Sequence, residues 1–309
     1  MDLKITELTP EQLPTVIELC GRSLDLPDDA AEAGAIVATL WPRAVASRPV
    51  VALGAYRDAR LIGVLLGSLA APSNPAAHVD LVAVEPAHRR RGVARALVAR
   101  AEQQFAGLGA REVRLAGNPP YYAWPGIDVR YTPAICAAEA LGYARDSTAW
   151  NMTADLSGAE SPALRTTAPA EQRLAGRGVT VRRAEPADLP ALTAFVSEAF
   201  DGTWAAEVAE SIGRDQAGCH LAERDGDLLG FAAWGSSRPG WFGPMGTAPA
   251  AAGSGIGGVL LRRCLADQRA AGITQAQIGW VGPVRFYSGS AGAWIERVFF
   301  GYRRSLREQ

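Results

Sequence analysis

Metal-ligating and cross-linking side chains are scarce in this chain. Its four cysteines, at 20, 136, 219 and 264, lie far apart without a Cys-x-x-Cys pair, and only three histidines are present, at 78, 88 and 220. That spacing argues against a disulfide framework and against a zinc site, so no metal is expected. The start, MDLKITEL, has no apolar leader, and no run of about 18 apolar residues is available to cross a bilayer. A cytoplasmic location is the expectation. A surplus of one charge is missing as well: 31 Lys+Arg stand against 32 Asp+Glu, a net charge of −1. Neither nucleic acid nor an anionic membrane is drawn by such a balance.

What the chain does have is length and apolar content enough for buried cores. Its 309 residues, 48% hydrophobic and 20% charged, suit a globular protein of about two domains. The most organised stretch is 79–108, VDLVAVEPAHRRRGVARALVARAEQQFAGL. A valine-rich run of strand length ends at Pro86, which has no amide hydrogen to continue a ladder. Arg89-Arg90-Arg91-Gly92-Val93-Ala94 turns the corner, and Val93, Leu97, Ala101, Phe105 and Leu108 then recur at helical spacing. A basic, glycine-containing turn that opens a helix presents free amide donors and suits a phosphate or pyrophosphate. It is neither a Walker loop nor a dinucleotide fingerprint.

Around it the order reads as strand (3–7), helices, a hairpin (50–56 and 61–69), strand, helix, strand (112–116), a short helix (133–142) and a strand (150–156). This is a mixed α/β sheet. Residues 157–178, SGAESPALRTTAPAEQRLAGRG, have hardly any large apolar side chain and read as a linker without a core. The beginning then returns. Val181–Pro190 parallels Ile5–Pro14 without a gap, a second hairpin follows at 219–224 and 228–234, and Pro249 precedes Gly255 by six residues as Pro86 precedes Gly92. The chain is an internal duplication, with expected domains at 1–156 and 179–309 joined by the linker 157–178.

Arg89, Gly92 and Ala94 meet the Arg/Gln-x-x-Gly-x-Gly/Ala acetyl-CoA signature, and the run resembles that of the GNAT acetyltransferases. The two halves together resemble tandem GNAT acetyltransferases. IGWVGPVRFY with GAWIERVFFGYRRSL is similar to the tandem glucosaminide N-acetyltransferases, and mycothiol synthases, whose acceptor is also an amine on an amino sugar, share the layout. The resemblance implies a tandem GNAT fold, with two domains packed together, and direct acetyl transfer from acetyl-CoA to a small-molecule primary amine, best an amino sugar of the glucosamine type. A non-catalytic acyl-CoA sensor, or an enzyme acting on another small amine or a protein amine, is the alternative.

By the same resemblance Val84, Arg89, Arg90, Arg91, Gly92, Val93 and Ala94 form one cofactor cradle. Met245, Thr247, Gly253, Ser254, Gly255, Ile256 and Gly257 form a second, although Ala252 replaces its arginine. A tyrosine four or five residues before a terminal glycine implies the acid that protonates the leaving thiolate. Before Gly142 those places hold Ala137 and Ala138, whereas Tyr287 stands five before Gly292. The chemistry is therefore expected in the second domain, with Tyr287 as acid and Gln277 orienting a water or the amine. The first domain is expected to be structural or cofactor-binding. Asp201, Glu207, Glu210 and Glu223 are weaker candidates for the base. Trp124, Asp128 and Trp280 are the expected acceptor-binding residues, since flat rings stack on sugar faces and a carboxylate binds hydroxyls or an ammonium.

Overall fold

In the computed structural model of the chain, residues 3–70, 74–200 and 202–306 are described. Asp201, one of the expected bases, lies outside them. The chain divides into two compact units, Met1–Ala149 with Val298–Gln309, and Trp150–Arg297.

The first unit opens with β1 (Lys4–Glu7) and α1 (Leu13–Ser23). Between them Thr9 and Gln12 form a capping box, the Thr9 amide donating to Gln12 Oε1 at 2.9 Å. Short helices α2 (Pro27–Ala31) and α3 (Ala33–Ala38) follow, then the antiparallel strands β2 (Val50–Arg57), β3 (Arg60–Leu69) and β4 (Ala76–Val84). Strand β3 is apolar on both faces because both are covered. Ile62 and Leu65 join the core under α4 (Val93–Gly107), and Val64 and Leu66 join the core under α1 and α3. Gly67 lies where β3 and α4 press closest. A Cβ there would stand 2.5 Å from the His78 carbonyl oxygen and 2.6 Å from the Phe105 ring.

Beyond α4, β5 (Glu112–Leu115) runs parallel to β4, and β6 (Ile127–Asp128), α5 (Thr132–Ala140) and β7 (Ala144–Asp155) follow. Two features of β4 shape the space beside it. It pairs with β5 only from Ala76↔Glu112 to His78↔Arg114, after which the two strands part. Its register with β3 also jumps, Gly67 facing Val79 and Leu66 facing Leu81. Asp80 is the extra residue of a β-bulge, a device that re-aims a side chain.

The second unit repeats the plan. It contains α6 (Ala168–Ala175), β8 (Thr180–Arg183), α7 (Leu189–Ala199), α8 (Gly202–Ser211), β9 (Gly218–Arg224), β10 (Asp227–Trp234) and β11 (Trp241–Thr247). Then come α9 (Ile256–Ala270), β12 (Gln275–Ile278), α10 (Val284–Ala291) and β13 (Trp294–Ser305). Strand order in this unit runs β8-β9-β10-β11-β12-β7, with residues 152–155 of β7 pairing β12.

The domain boundaries expected from the sequence differ from these units in two places. Residues 157–178 are not a linker without a core: Ala163 and Leu174 are buried in the main core of the second unit, and α6 lies within the segment. The C-terminal strand is also not wholly part of the second unit. From Val298 it belongs to the first, where Tyr302 pairs Leu115 and enters the core with Val113 and Tyr143. The physical reason is the open side of β5, which needs a ladder partner.

Gly67→Ala should destabilise the chain by about 1–3 kcal/mol, the usual cost of overpacking a filled core. Urea unfolding followed by circular dichroism measures it, and an unchanged midpoint would contradict the close packing of β3 against α4.

Candidate functional site

Where β4 and β5 part, a wedge opens, and a cavity of about 610 Å³ fills it. Residues 79–84 of β4 form one wall and residues 115–117 after β5 the other. Helix α5 closes a third side with Ala134, Cys136, Ala137 and Ala138. At one end lies the start of α4. Gly92 precedes it at φ 83°, a left-handed conformation that favours glycine, and Arg90 is also left-handed at φ 61°. The first amides of a helix have no partner within it. They open on the cavity beside Arg90, Gly92, Val93, Ala94 and Arg95, and both Arg90 and Arg91 are exposed.

Arg89 has a different task from the one its place in the signature suggests. Its Nε donates to the Val84 carbonyl at 3.1 Å, one terminal nitrogen to Asp25 at 2.9 and 3.1 Å, and the other to the Ser23 carbonyl at 2.7 Å. Its side chain thus ties the end of α1 to the end of β4. Positive charge at this end of the cavity comes from Arg90, Arg95 and the helix terminus, while Arg91 is exposed and does not line it.

The opposite end of the cavity is aromatic and acidic. Tyr122, Trp124, Asp128 and Tyr131 line it. Trp124 Nε1 donates to Asp29 Oδ2 at 3.1 Å, and the Tyr131 hydroxyl donates to the same oxygen at 3.0 Å. Asp128 is buried and receives Arg130 through its amide (2.9 Å), Nε (3.0 Å) and a terminal nitrogen (2.8 Å).

Between the two ends the bulge brings Asp80 to the cavity wall. Ser68 Oγ donates to its Oδ2 at 2.7 Å, while the buried Oδ1 has no hydrogen-bond partner. Burial pushes this carboxyl up to about 8, with the Ser68 hydrogen bond and the Arg48 charge pulling the other way. His78, two residues earlier, is pushed down to about 4 by burial and stays neutral, its Nδ1 2.9 Å from the Ala116 carbonyl. Sequence reading missed Asp80, which looked like one polar residue in a buried strand. Aligning the duplication offers a signal, because the same place in the second copy is Gly243.

The second wedge has the same frame and a different filling. β11 and β12 pair at Trp241↔Gln277 and Phe242↔Ile278 and then part, and Gly255 caps α9 at φ 92°. The left-handed Gly253 and the half-buried Ser254 complete the turn, Ser254 Oγ donating to the Ala251 carbonyl at 2.6 Å. Here Phe286 and Met245 close on the helix start. A Cβ added at Gly257 would lie 3.4 Å from Thr247 Oγ1, 3.5 Å from the Phe286 ring and 3.6 Å from the Met245 methyl. Ile256 is itself a core residue.

Tyr287 is 7% exposed and packs edge-on to Phe242 and Phe286, with ring centroids 6.2 and 5.0 Å apart. Burial alone raises its hydroxyl pKa well above the ordinary tyrosine value. Gln277 is committed to its own strands, donating to Thr153 Oγ1 at 2.7 Å and Glu296 Oε2 at 2.9 Å and accepting from Asn151 at 3.3 Å. That network corrects its expected role: the amide is not turned toward an acceptor. Trp280 is 43% exposed, and its backbone amide donates to Asn151 Oδ1 at 2.9 Å. It does not line the cavity that Trp124 and Asp128 share. Of the other expected bases, Glu207 is buried and Glu223 is paired with Arg182 at 2.9 Å. Among the described residues no group of three His, Cys, Asp or Glu could hold a metal ion, and no helix is long and apolar enough to cross a membrane.

Splayed parallel strands, a glycine-capped helix beside them and the repetition of both define a tandem GNAT fold. Matches to known proteins agree. Residues 22–123, within the first unit, match the acetyltransferase (GNAT) family model. A mycothiol acetyltransferase of Thermomonospora curvata is 33% identical over 203 residues, 62% of this chain and 60% of that protein. The chain therefore spans about three fifths of the length of the curated relatives it matches. Among solved structures, a glucosamine N-acetyltransferase region of a fungal multi-domain beta-N-acetylglucosaminidase superposes with a TM-score of 0.77 at 15% identity, over 98% of this chain and 38% of that one. A tandem GNAT protein from the clavulanic acid biosynthesis pathway gives 0.71 at 16% identity, covering all of both chains.

Asp25→Ala should remove the one charged partner of Arg89, leaving its bonds to the Val84 and Ser23 carbonyls and the helix amides untouched. Acetyl-CoA affinity, measured by calorimetry, should then fall by less than about tenfold, one charge-assisted hydrogen-bonded contact being lost at a half-exposed site. Complete loss of binding would show that the Asp25–Arg89 tie builds the cradle itself.

Proposed function

We propose that this chain is an acetyl-CoA-dependent N-acetyltransferase for a primary amine, with the reaction in the first unit. The observation that carries the reading is a single cavity holding the start of α4 at one end and Asp80 on its wall. The second wedge, closed by Phe286, Met245 and Tyr287, is read as a structural copy. This reverses the expectation that Tyr287 is the acid of a catalytic second domain.

The residues of the first wedge fit the cofactor. Amides at the start of α4, with Arg90 and Arg95, would hold the pyrophosphate, and the separated edge of β4 from Val79 to Val84 offers backbone groups to the pantetheine arm. Acetyl-CoA supplies an acyl group activated as a thioester. Asp80 Oδ1, with no other partner, accepts a proton from the acceptor ammonium, so the nitrogen enters as the free amine. Tyr122, Trp124 and Tyr131 exclude water and give flat faces for a ring, and Asp128, held by Arg130, offers a carboxylate edge at that end. An amino sugar of the glucosamine type is the acceptor we favour, in line with the name of the fungal neighbour.

Purified protein should release thiol from acetyl-CoA in the presence of glucosamine or its short oligomers. Calorimetry should give one acetyl-CoA per chain. Asp80→Asn should lower kcat by about 10²–10⁴, the usual worth of a positioned base, while Tyr287→Phe keeps it within about threefold. The carboxyl is raised by burial and accepts a proton only when ionised, so kcat should climb with pH through about 8 and level off above. One acetyl-CoA bound with no turnover on any amine would make the chain a sensor. Loss of activity in Tyr287→Phe with full activity in Asp80→Asn would return the chemistry to the second unit.

A further inference from the structure

The unpartnered Oδ1 of Asp80 is one end of a chain of three side chains. Asn118 Nδ2 donates to Ser68 Oγ at 2.8 Å and to the Leu69 carbonyl at 3.1 Å, and Ser68 Oγ donates to Asp80 Oδ2 at 2.7 Å. A serine hydroxyl has one hydrogen to give. Because Asn118 donates to the Ser68 oxygen, that hydrogen is turned to Asp80. Ser68 is 1% exposed and Asn118 5%, so water does not compete for either. The loop bearing Asn118 is pinned in turn, Arg48 donating to the Asn118 carbonyl at 3.1 Å and to that of Pro119 at 2.6 Å.

The duplication provides a control inside the same chain. By strand register Asp80 corresponds to Gly243, Ser68 to Gly235 and Asn118 to Val281. All three side chains are present in the unit with the open cavity, and all three are missing in the unit where Phe286 and Met245 stand beside the corresponding helix start. A pair kept only to stabilise the β3–β4 hairpin would have no reason to depart with the cavity.

Resting on the reading that Asp80 is the base, we propose that Ser68, oriented by Asn118, is a positioning residue for acyl transfer: it holds Oδ2 against β3 and leaves Oδ1 facing the acceptor amine. Ser68 touches neither substrate nor cofactor. It fixes the carboxylate rotamer and, by donating to the ionised form, keeps the base usable near neutral pH. The other charged group that bears on the carboxylate is the Arg48 guanidinium, ahead of β2.

The test is the pH profile of kcat with glucosamine for the wild-type chain, Ser68→Ala, Ser68→Thr and Asn118→Ala. The acceptor is the same throughout, so its own titration cancels. Loss of a hydrogen bond to the charged form raises the carboxyl further, and the rising limb should move up by about one pH unit in Ser68→Ala, cutting the rate at pH 7 about tenfold. Above the limb the rate should return to within about fivefold of wild type. Ser68→Thr keeps the hydroxyl and should hold the limb in place. Asn118→Ala, in which the Ser68 hydroxyl can turn away, should move the limb in the same direction by less, and it serves if Ser68→Ala does not fold. A Ser68→Ala rate lowered equally at every pH, with the limb unmoved, would overturn the positioning role while leaving Asp80 as the base. A wild-type chain without turnover on any amine, or Asp80→Asn with full activity, would overturn both.

Discussion

Everything at the site depends on one break in a ladder. Strands β4 and β5 are hydrogen-bonded for three residues each and then part, so their backbone groups beyond His78 and Arg114 face a gap rather than each other. Buried peptide groups left without partners are costly. Such a gap persists only if something else satisfies or covers them. In the first unit the gap is a cavity with a helix start at its mouth. In the second, Phe286, Tyr287 and Met245 stand beside the corresponding helix start. The two copies show the two physical solutions to the same geometry: a ligand-sized space or a core.

Side-chain size on one helix decides between them. Helix α5 presents Cys136 and Ala137 at the places where α10 presents Phe286 and Tyr287. Two rings packed edge to face, 5.0 Å between centroids, occupy space that a methyl and a thiol leave open. The carboxylate follows the same division. A bulge occurs in both copies, but only the first puts a side chain with acid–base capacity on it, and only there do a serine and an asparagine hold it. The cavity, the carboxylate on the bulge and the side chains that hold it thus all lie in the first unit.

Much of this was legible in the sequence. The hairpins, the strand–turn–helix around Arg89–Ala94 and the duplication all follow from local periodicity and turn chemistry, which the tertiary structure left intact. Less legible were the limits of the units. Residues 157–178 look coreless because their apolar residues are few, yet Ala163 and Leu174 are enough to dock them. The strand from Trp294 carries an alternating pattern, and such a pattern says which face is buried without saying against which neighbour. The substitution of Ala137 for Tyr287 was also visible. Read as chemistry it meant a lost acid, and read as volume it means an open groove.

The sequence by itself determined the class of fold, its repetition and the glycine-capped basic turn, because each rests on contacts between residues close in the chain. Only the tertiary structure decided which copy is open, that Arg89 ties two elements together rather than reaching outward, and that Asp80 faces the cavity with Ser68 and Asn118 behind it. Those facts depend on residues 12 to 64 positions apart meeting at one place, and on a one-residue slip in strand register that leaves no mark in composition or spacing.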